Sequence, residues 1–459
     1  MRYFVSAFTL LLTVPAFADN LCVNPNNANC FATIQGAVAL ANPGDTVKIS
    51  SGVFNENVIV NTADLEITGS SNTIVDPDNP LVGPAFTFMA PDFVLRGFKI
   101  RNGQVDAVVV EAAATGGVIR NMWISGANED CIDNAANDLT VRNTTFWGCG
   151  DDGVESVGSD LLYRSNEARH IGDEGIEGVG VRGVVERSHF ALVDDNGVDY
   201  VGDDFMLTNS QFHVIGDDFA DIEGDDATLD RNRAEMSDGS NVDGANLTFI
   251  NNRVQYTDDE AINWRCTACA AGGTVSNNRA TQTEGDEGAY EFQGDVNGAM
   301  IDRNRAERIF DEAYETGSST FNLTFENNWA LDVGGDDGEP CYDFRGMNHV
   351  SHRNRAEDCH GDGFEVDGTG WTSTRDQASW LEDSGFHIED TATGVSIDNA
   401  RAKDANGAGF EVEAGALNTT VTNSRTSGSN GQEACDEGTG STFTGNNFDP
   451  PDGTCRVVN

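Results

Sequence analysis

A short acidic phrase recurs along the chain and supplies most of the residues able to do chemistry. It is plain in Asp151-Asp152-Gly153-Val154-Glu155, Asp173-Glu174-Gly175-Ile176-Glu177 and Asp195-Asn196-Gly197-Val198-Asp199, and the next copy contributes Asp217, Asp218 and Asp221. These copies are 22 residues apart. Carboxylates are hard oxygen ligands, so Asp151, Asp152 and Glu155 with Asp173, Glu174 and Glu177 of the following copy could hold calcium, which accepts about six to eight oxygens in flexible geometry. The same holds for Asp195, Asp199, Asp217, Asp218 and Asp221. The competing reading is that water and monovalent salt screen these charges and that Asp-Gly merely makes a turn.

Aligned on the apolar residue, the series runs Ile132, Val154, Ile176, Val198, Ala220, Val242, Ile262, Tyr290, Tyr314, Tyr342, Phe364, Phe386 and Phe410. The residues that follow are Asp133, Glu155, Glu177, Asp199, Asp221, Asp243, Asn263, Glu291, Glu315, Asp343, Glu365, His387 and Glu411. An apolar column beside a charged one is the alternation of a β-strand, with one side on a core and the other on water. A strand recurring every 20 to 28 residues with turn residues between copies marks a solenoid of stacked coils. The expected fold is therefore all-β: a right-handed, single-stranded parallel β-helix of thirteen or more coils with a short N-terminal capping helix. Stacking at about 4.8 Å places the acidic residues in one outward file. Like charges at that spacing repel by roughly 1 kcal/mol in bulk water and by about 3 to 4 kcal/mol at an effective dielectric of about 20, so something should neutralise them.

Other columns have quieter readings. Asn166, Asn232, Asn252, Asn278, Asn304, Asn328 and Asn354 form a column expected to hydrogen-bond coil to coil. Arg233, Arg253, Arg279, Arg305, Arg355, Arg401 and Arg425 point outward, with Glu235, Glu307 and Glu357 two residues on, as a salt-bridged lattice rather than a polyanion site. His349, His352 and His360 gather in one coil but lack zinc spacing and read as surface histidines. Trp264, Trp329, Trp371 and Trp380 fill the core or stack on sugars. Residues 72–128 read as irregular coils, and two longer copies carry excursions at Cys266-Thr267-Ala268-Cys269 and at Gly334-Gly335-Asp336-Asp337-Gly338.

Residues 1–18 have the pattern of a secretory signal, with Arg2, an apolar stretch near Leu10 and Ala16-Phe17-Ala18, and no later apolar run is long enough to span a bilayer. Export, to the periplasm or exterior, suits ten cysteines that fall into close pairs: Cys22 with Cys30, Cys131 with Cys149, Cys266 with Cys269, Cys341 with Cys359 and Cys435 with Cys455. The helix would occupy 19–430 and a disulfide-closed cap 431–459. A net charge of −49 excludes nucleic acid and anionic membrane as direct partners. Oligomeric state is left open.

The order Ile34-Gln35 with Ala37, Pro43-Gly44-Asp45-Thr46-Val47, Gly52-x-Phe54-x-Glu56 and Leu65-x-Ile67-x-Gly69 resembles the N-terminal cap and first coil of right-handed β-helix proteins of the pectate-lyase-like superfamily. That resemblance implies a helix over the open end of the core and a polysaccharide or cell-surface glycan as partner. Asp130-Cys131-Ile132 is similar to part of the polygalacturonase signature, whose Gly-His-Gly and Arg-Ile-Lys motifs this chain lacks. Pectate lyases use an arginine base, and Arg265 and Arg345 stand two residues past the acidic column, on its face. Arg345 with Asp343 and Glu315, and Arg265, are thus the candidates for lyase chemistry; ordinary ion pairing is the alternative. The functional expectation is an exported protein engaging polysaccharide along a calcium-loaded acidic face, with lyase activity or, alternatively, as a non-catalytic adhesin or scaffold.

Overall fold

The structure, a computed structural model, describes residues 18–77, 83–267, 272–283, 288–335 and 338–448. The expected signal segment lies outside them but for Ala18, as do Cys269, Cys455, Asp336 and Asp337. Within them the chain winds into a parallel β-solenoid. Each coil lays one short strand on each of three sheets, every pairing is parallel, and the largest sheet has 19 strands. The fold is the β-helix that the repeat and the resemblance implied.

One sheet carries the acidic file and a second the arginine column. Between the third sheet and the arginine sheet the coils that carry the asparagine column bend at a residue with positive φ, such as Arg231, Asn251, Asn277 or Arg303. The next residue is the column asparagine. Its amide oxygen accepts the backbone N–H of the equivalent residue one coil earlier, as from Asn252 to Asn278 at 2.8 Å and from Asn278 to Asn304 at 3.0 Å. Its nitrogen donates to a carbonyl one coil before, as from Asn304 to Val275 O at 2.7 Å. Both halves of the amide are used, which is what makes a buried asparagine tolerable. The outward arginines pair as expected at Arg233–Glu235, Arg279–Glu307, Arg305–Glu307 and Arg355–Glu357.

The apolar column of the acidic sheet fills the core. Tyr290, Tyr314, Tyr342, Phe364, Phe386 and Phe410 stack ring on ring, with successive centroids 4.9, 4.7, 4.7, 4.9 and 5.1 Å apart. That is the coil spacing itself, so one aromatic per coil leaves no gap. Tyr342→Ala should open a cavity inside this stack and cost about 3–5 kcal/mol. Urea unfolding measures it, and a loss below about 1 kcal/mol would show that the stack repacks.

Several expectations need correction. Among the described residues of 72–128 the coils are regular: Thr73–Val75, Phe86–Phe88, Lys99–Arg101, Val108–Val110 and Trp123–Ser125 pair with their neighbours like the rest. They lack the acidic phrase but keep the inward apolar residues. Winding continues past 430, through Ala434–Asp436 and Thr442–Thr444. The N-terminal helix is a single short one, Ile34–Val38, packed against the first strands and started by Thr33, whose hydroxyl accepts from Gly36 N–H at 3.1 Å. Leu40, just past the end of the helix, is 67% exposed. The disulfides Cys22–Cys30, Cys131–Cys149 and Cys341–Cys359 are those read from the sequence. Cys266 and Cys435 are also disulfide-bonded; the partners expected for them lie outside the described residues.

Candidate functional site

The file is in register. Glu155 pairs with Glu177, Glu177 with Asp199 and Asp199 with Asp221. The next coil is two residues short, so Asn241 takes the place expected for Asp243, which lies opposite Glu223 and Arg265 instead. The file then runs through Asn263, Glu291, Glu315, Asp343, Glu365, His387 and Glu411.

Its residues are not simply outside. Glu155, Glu177, Asp199 and Asp221 are half-buried, and Asp343 is 1% exposed. Desolvation first, and neighbouring carboxylates second, push Asp133 and Asp199 up to about 6 and Asp218 to about 8.

The turn carboxylates have a structural task as well. Asp152 N–H donates to Asp130 Oδ1, and Glu174 N–H to Asp152 Oδ1, each at 2.9 Å. Asp218 N–H donates to Asn196 Oδ1 at 3.1 Å. These bonds stitch successive turns together, so the plain turn reading accounts for one oxygen of the inner carboxylates. It does not account for the outer ones. Asp151, Asp152 and Asp173, and again Asp173, Glu174 and Asp195, bring one ligand oxygen each to within 4.8 Å of one another. Glu155, Glu177, Asp199 and Asp221 line the adjoining strand, and Asp217 stands beside Asp238, helping to raise it to about 6 after desolvation.

The C-terminal stretch has its own cations. Arg345 bridges Glu315 and Asp343, placing one guanidinium nitrogen on each carboxylate. Burial opposes its charge, but Asp343 and Glu315 prevail and raise its pKa. Burial still holds Asp343 up at about 8 despite Arg345. Two coils on, His387 Nδ1 meets Asp362 Oδ2 at 2.8 Å and Nε2 faces Glu413 at 3.4 Å. Burial alone would lower His387, yet Asp362, Glu389 and Glu411 bring it up to about 10, so it is an imidazolium at neutral pH. Glu365, pushed to about 7 chiefly by burial, lies between these two cations. Among the described residues, Arg345 and His387 make the only ion pairs on this file.

The structure brings together Arg345, Asp343 and Glu315, candidates from the sequence, and also Asp362, Glu365 and His387, which were not among the candidates. His387 was visible as the one histidine in an acidic column. Arg265 stands apart, exposed and opposite Asp243 and Gln293. His349 is not a surface residue: it is buried, its Nδ1 accepts Leu323 N–H at 3.2 Å, and its Nε2 lies 2.7 Å from Arg345 O. Trp264 and Trp371 are core, whereas Trp329 lies under Arg305 and Arg355, and Trp380 is exposed beside Lys403.

No protein-family model matches the chain, and no characterised protein matches its sequence. Solved structures share its winding. An alginate lyase from Paenibacillus sp. is 14% identical, with a TM-score of 0.41 over 63% of this chain and 95% of that one. A tailspike protein of E. coli bacteriophage HK620 is 10% identical, with a TM-score of 0.44 over 89% and 76%. A GH87 α-1,3-glucanase from Streptomyces thermodiastaticus is 14% identical, with a TM-score of 0.34 over 92% of this chain and 66% of that one. At such values the likeness is one of winding and says nothing about the site.

Proposed function

We propose that this is an exported solenoid whose acidic sheet binds calcium and, through it, engages an anionic polysaccharide or cell-surface glycan. The observation that carries this reading is the pair of three-carboxylate groups at 151–173 and 173–195, built on a file that has no cation of its own in that stretch among the described residues. Their donors are all oxygen, the set that suits calcium. A bound calcium with open coordination positions would bridge protein carboxylates to sugar carboxylates, which a surface of this charge would otherwise repel. Disulfides within single coils support export. A polysaccharide-acting enzyme and a phage tailspike among the structures of similar winding are compatible with a glycan partner.

Of the two forms of this reading, binding without cleavage is the better supported. A lyase would use Arg345 as base, and two carboxylates hold that guanidinium protonated. The test is a panel of uronate and neutral polysaccharides with and without calcium, read by retention on the glycan and by ultraviolet absorbance of unsaturated products. Calcium-dependent retention that weakens at least tenfold in Asp151→Asn/Asp173→Asn is expected. Retention indifferent to both chelator and substitution would remove the calcium-bridged face, and unsaturated product would restore the lyase.

A further inference from the structure

Between the acidic stretch and the stretch neutralised by Arg345 and His387, the file passes through Asn241, Asn263 and Glu291 on three successive coils. Here the coil step changes from 20 residues, between Asp221 and Asn241, to 22 and then 28. Three acceptor atoms on these coils, Asn241 Oδ1, Asn263 Oδ1 and Glu291 Oε2, are closed off from solvent and have no hydrogen-bond partner among the described residues. Asn263 and Glu291 are each 4% exposed.

The orientation of these groups follows from their neighbours. Asn263 Nδ2 donates to Glu260 Oε1 at 2.9 Å, which fixes the nitrogen toward that carboxylate and turns the oxygen elsewhere. Gln293 donates to Glu291 Oε1, which leaves Oε2 as the unused oxygen. Glu260, 6% exposed, sits against Glu291, and burial followed by that contact raises its pKa. No arginine or lysine forms an ion pair with either glutamate among the described residues. The place thus gathers two buried carboxylates in contact with each other and three acceptor atoms, Asn241 Oδ1, Asn263 Oδ1 and Glu291 Oε2, with no donor to meet them.

An unmet buried acceptor costs about 1–3 kcal/mol, more when charged, and orphaned acceptors on adjacent coils are not what folding leaves without compensation. What satisfies several acceptors at once is a cation. A donor set of carboxylate and amide oxygens, without nitrogen or sulfur, selects a hard divalent ion of the calcium class. We infer that Asn241, Glu260, Asn263 and Glu291 hold one calcium ion, a structural staple where the solenoid changes coil length. This site is separate from the carboxylates at 151–221 and stands whether or not those bind metal or glycan.

The experiment counts calcium in the full chain by elemental analysis after dialysis against micromolar calcium, alongside melting curves with and without the metal. Wild type should retain one more calcium per chain than Glu260→Gln/Glu291→Gln, and Asp151→Asn/Asp173→Asn should keep that ion. In metal-free buffer the double glutamine variant should melt higher than wild type, because its amides can donate where the carboxylates only repel. Should the double variant fail to accumulate, Glu291→Gln alone gives the same count. Equal calcium in wild type and the glutamine variants, with only the metal-free melting point changed, would mean that the two carboxylates share a proton and hold no ion. Loss of the same ion in Asp151→Asn/Asp173→Asn would place it in the acidic turns instead. Either result overturns the inference.

Discussion

In calcium-free buffer the protein should lose stability as pH rises from about 5 to 8.5, a fall in melting temperature on the order of 10 °C. The sign follows from the direction of the shifts. Asp199, Asp218, Asp343 and Glu365 have folded values near 6, 8, 8 and 7, raised above 3.8 for aspartate and 4.5 for glutamate. In that interval the native chain holds more protons than the unfolded one, so each added pH step favours unfolding. Their contribution is fully present below the unfolded values and is lost as pH passes the folded ones. Asp343, at 1% exposure, accounts for several kcal/mol by itself at about 1.4 kcal/mol per tenfold change in proton affinity. Calcium should flatten the curve at the alkaline end, since a ligand at a hundred times its dissociation constant adds about 2.7 kcal/mol per site. Scanning calorimetry across the pH range decides the matter. A metal-free melting temperature independent of pH would mean that these carboxylates are solvated and the file is an ordinary wet surface.

Arg345→Ala should cost about 3–5 kcal/mol at pH about 10, where Asp343, held near 8 with Arg345 in place, is ionised and the substitution strands a buried carboxylate. Without the guanidinium, Asp343 has Glu315 and Glu365 as its neighbours in the file, and nothing beside it offsets burial. At pH about 5 the cost should shrink to roughly 1–2 kcal/mol, because Asp343 is then protonated and only the lost packing of the arginine stem remains. Asp343→Asn in the same background should recover most of the difference. Urea unfolding at the two pH values is the measurement. An equal cost at both would assign Arg345 a packing role and remove electrostatics from the account of this coil.

Much of the molecule is readable from the order of its residues. The 22-residue step, the two-residue alternation and the in-register pairing they force are properties of strands stacked in parallel, so the aromatic column, the asparagine ladder and the arginine–glutamate lattice followed directly. Three cysteine pairs followed too, because the two halves of each lie within about one coil. Reading failed where one residue depends on another a coil away. The short coil before Asn241 moved Asp243 out of the file, since register is set by hydrogen bonds to the neighbouring strand and not by counting from the last phrase. His349 looked like a surface histidine because the partner of its Nδ1, the Leu323 N–H, lies 26 residues away on the preceding coil.

The sequence by itself determined the winding, the side of the strand on which the carboxylates stand, and the charge they carry in total. Only the folded chain decided how deeply each is buried, which of them Arg345 and His387 neutralise, and which oxygens between residues 241 and 291 are left with no donor. Alternation along a strand is a local rule enforced by backbone geometry, whereas desolvation and charge pairing depend on what the coils above and below bring to the same spot.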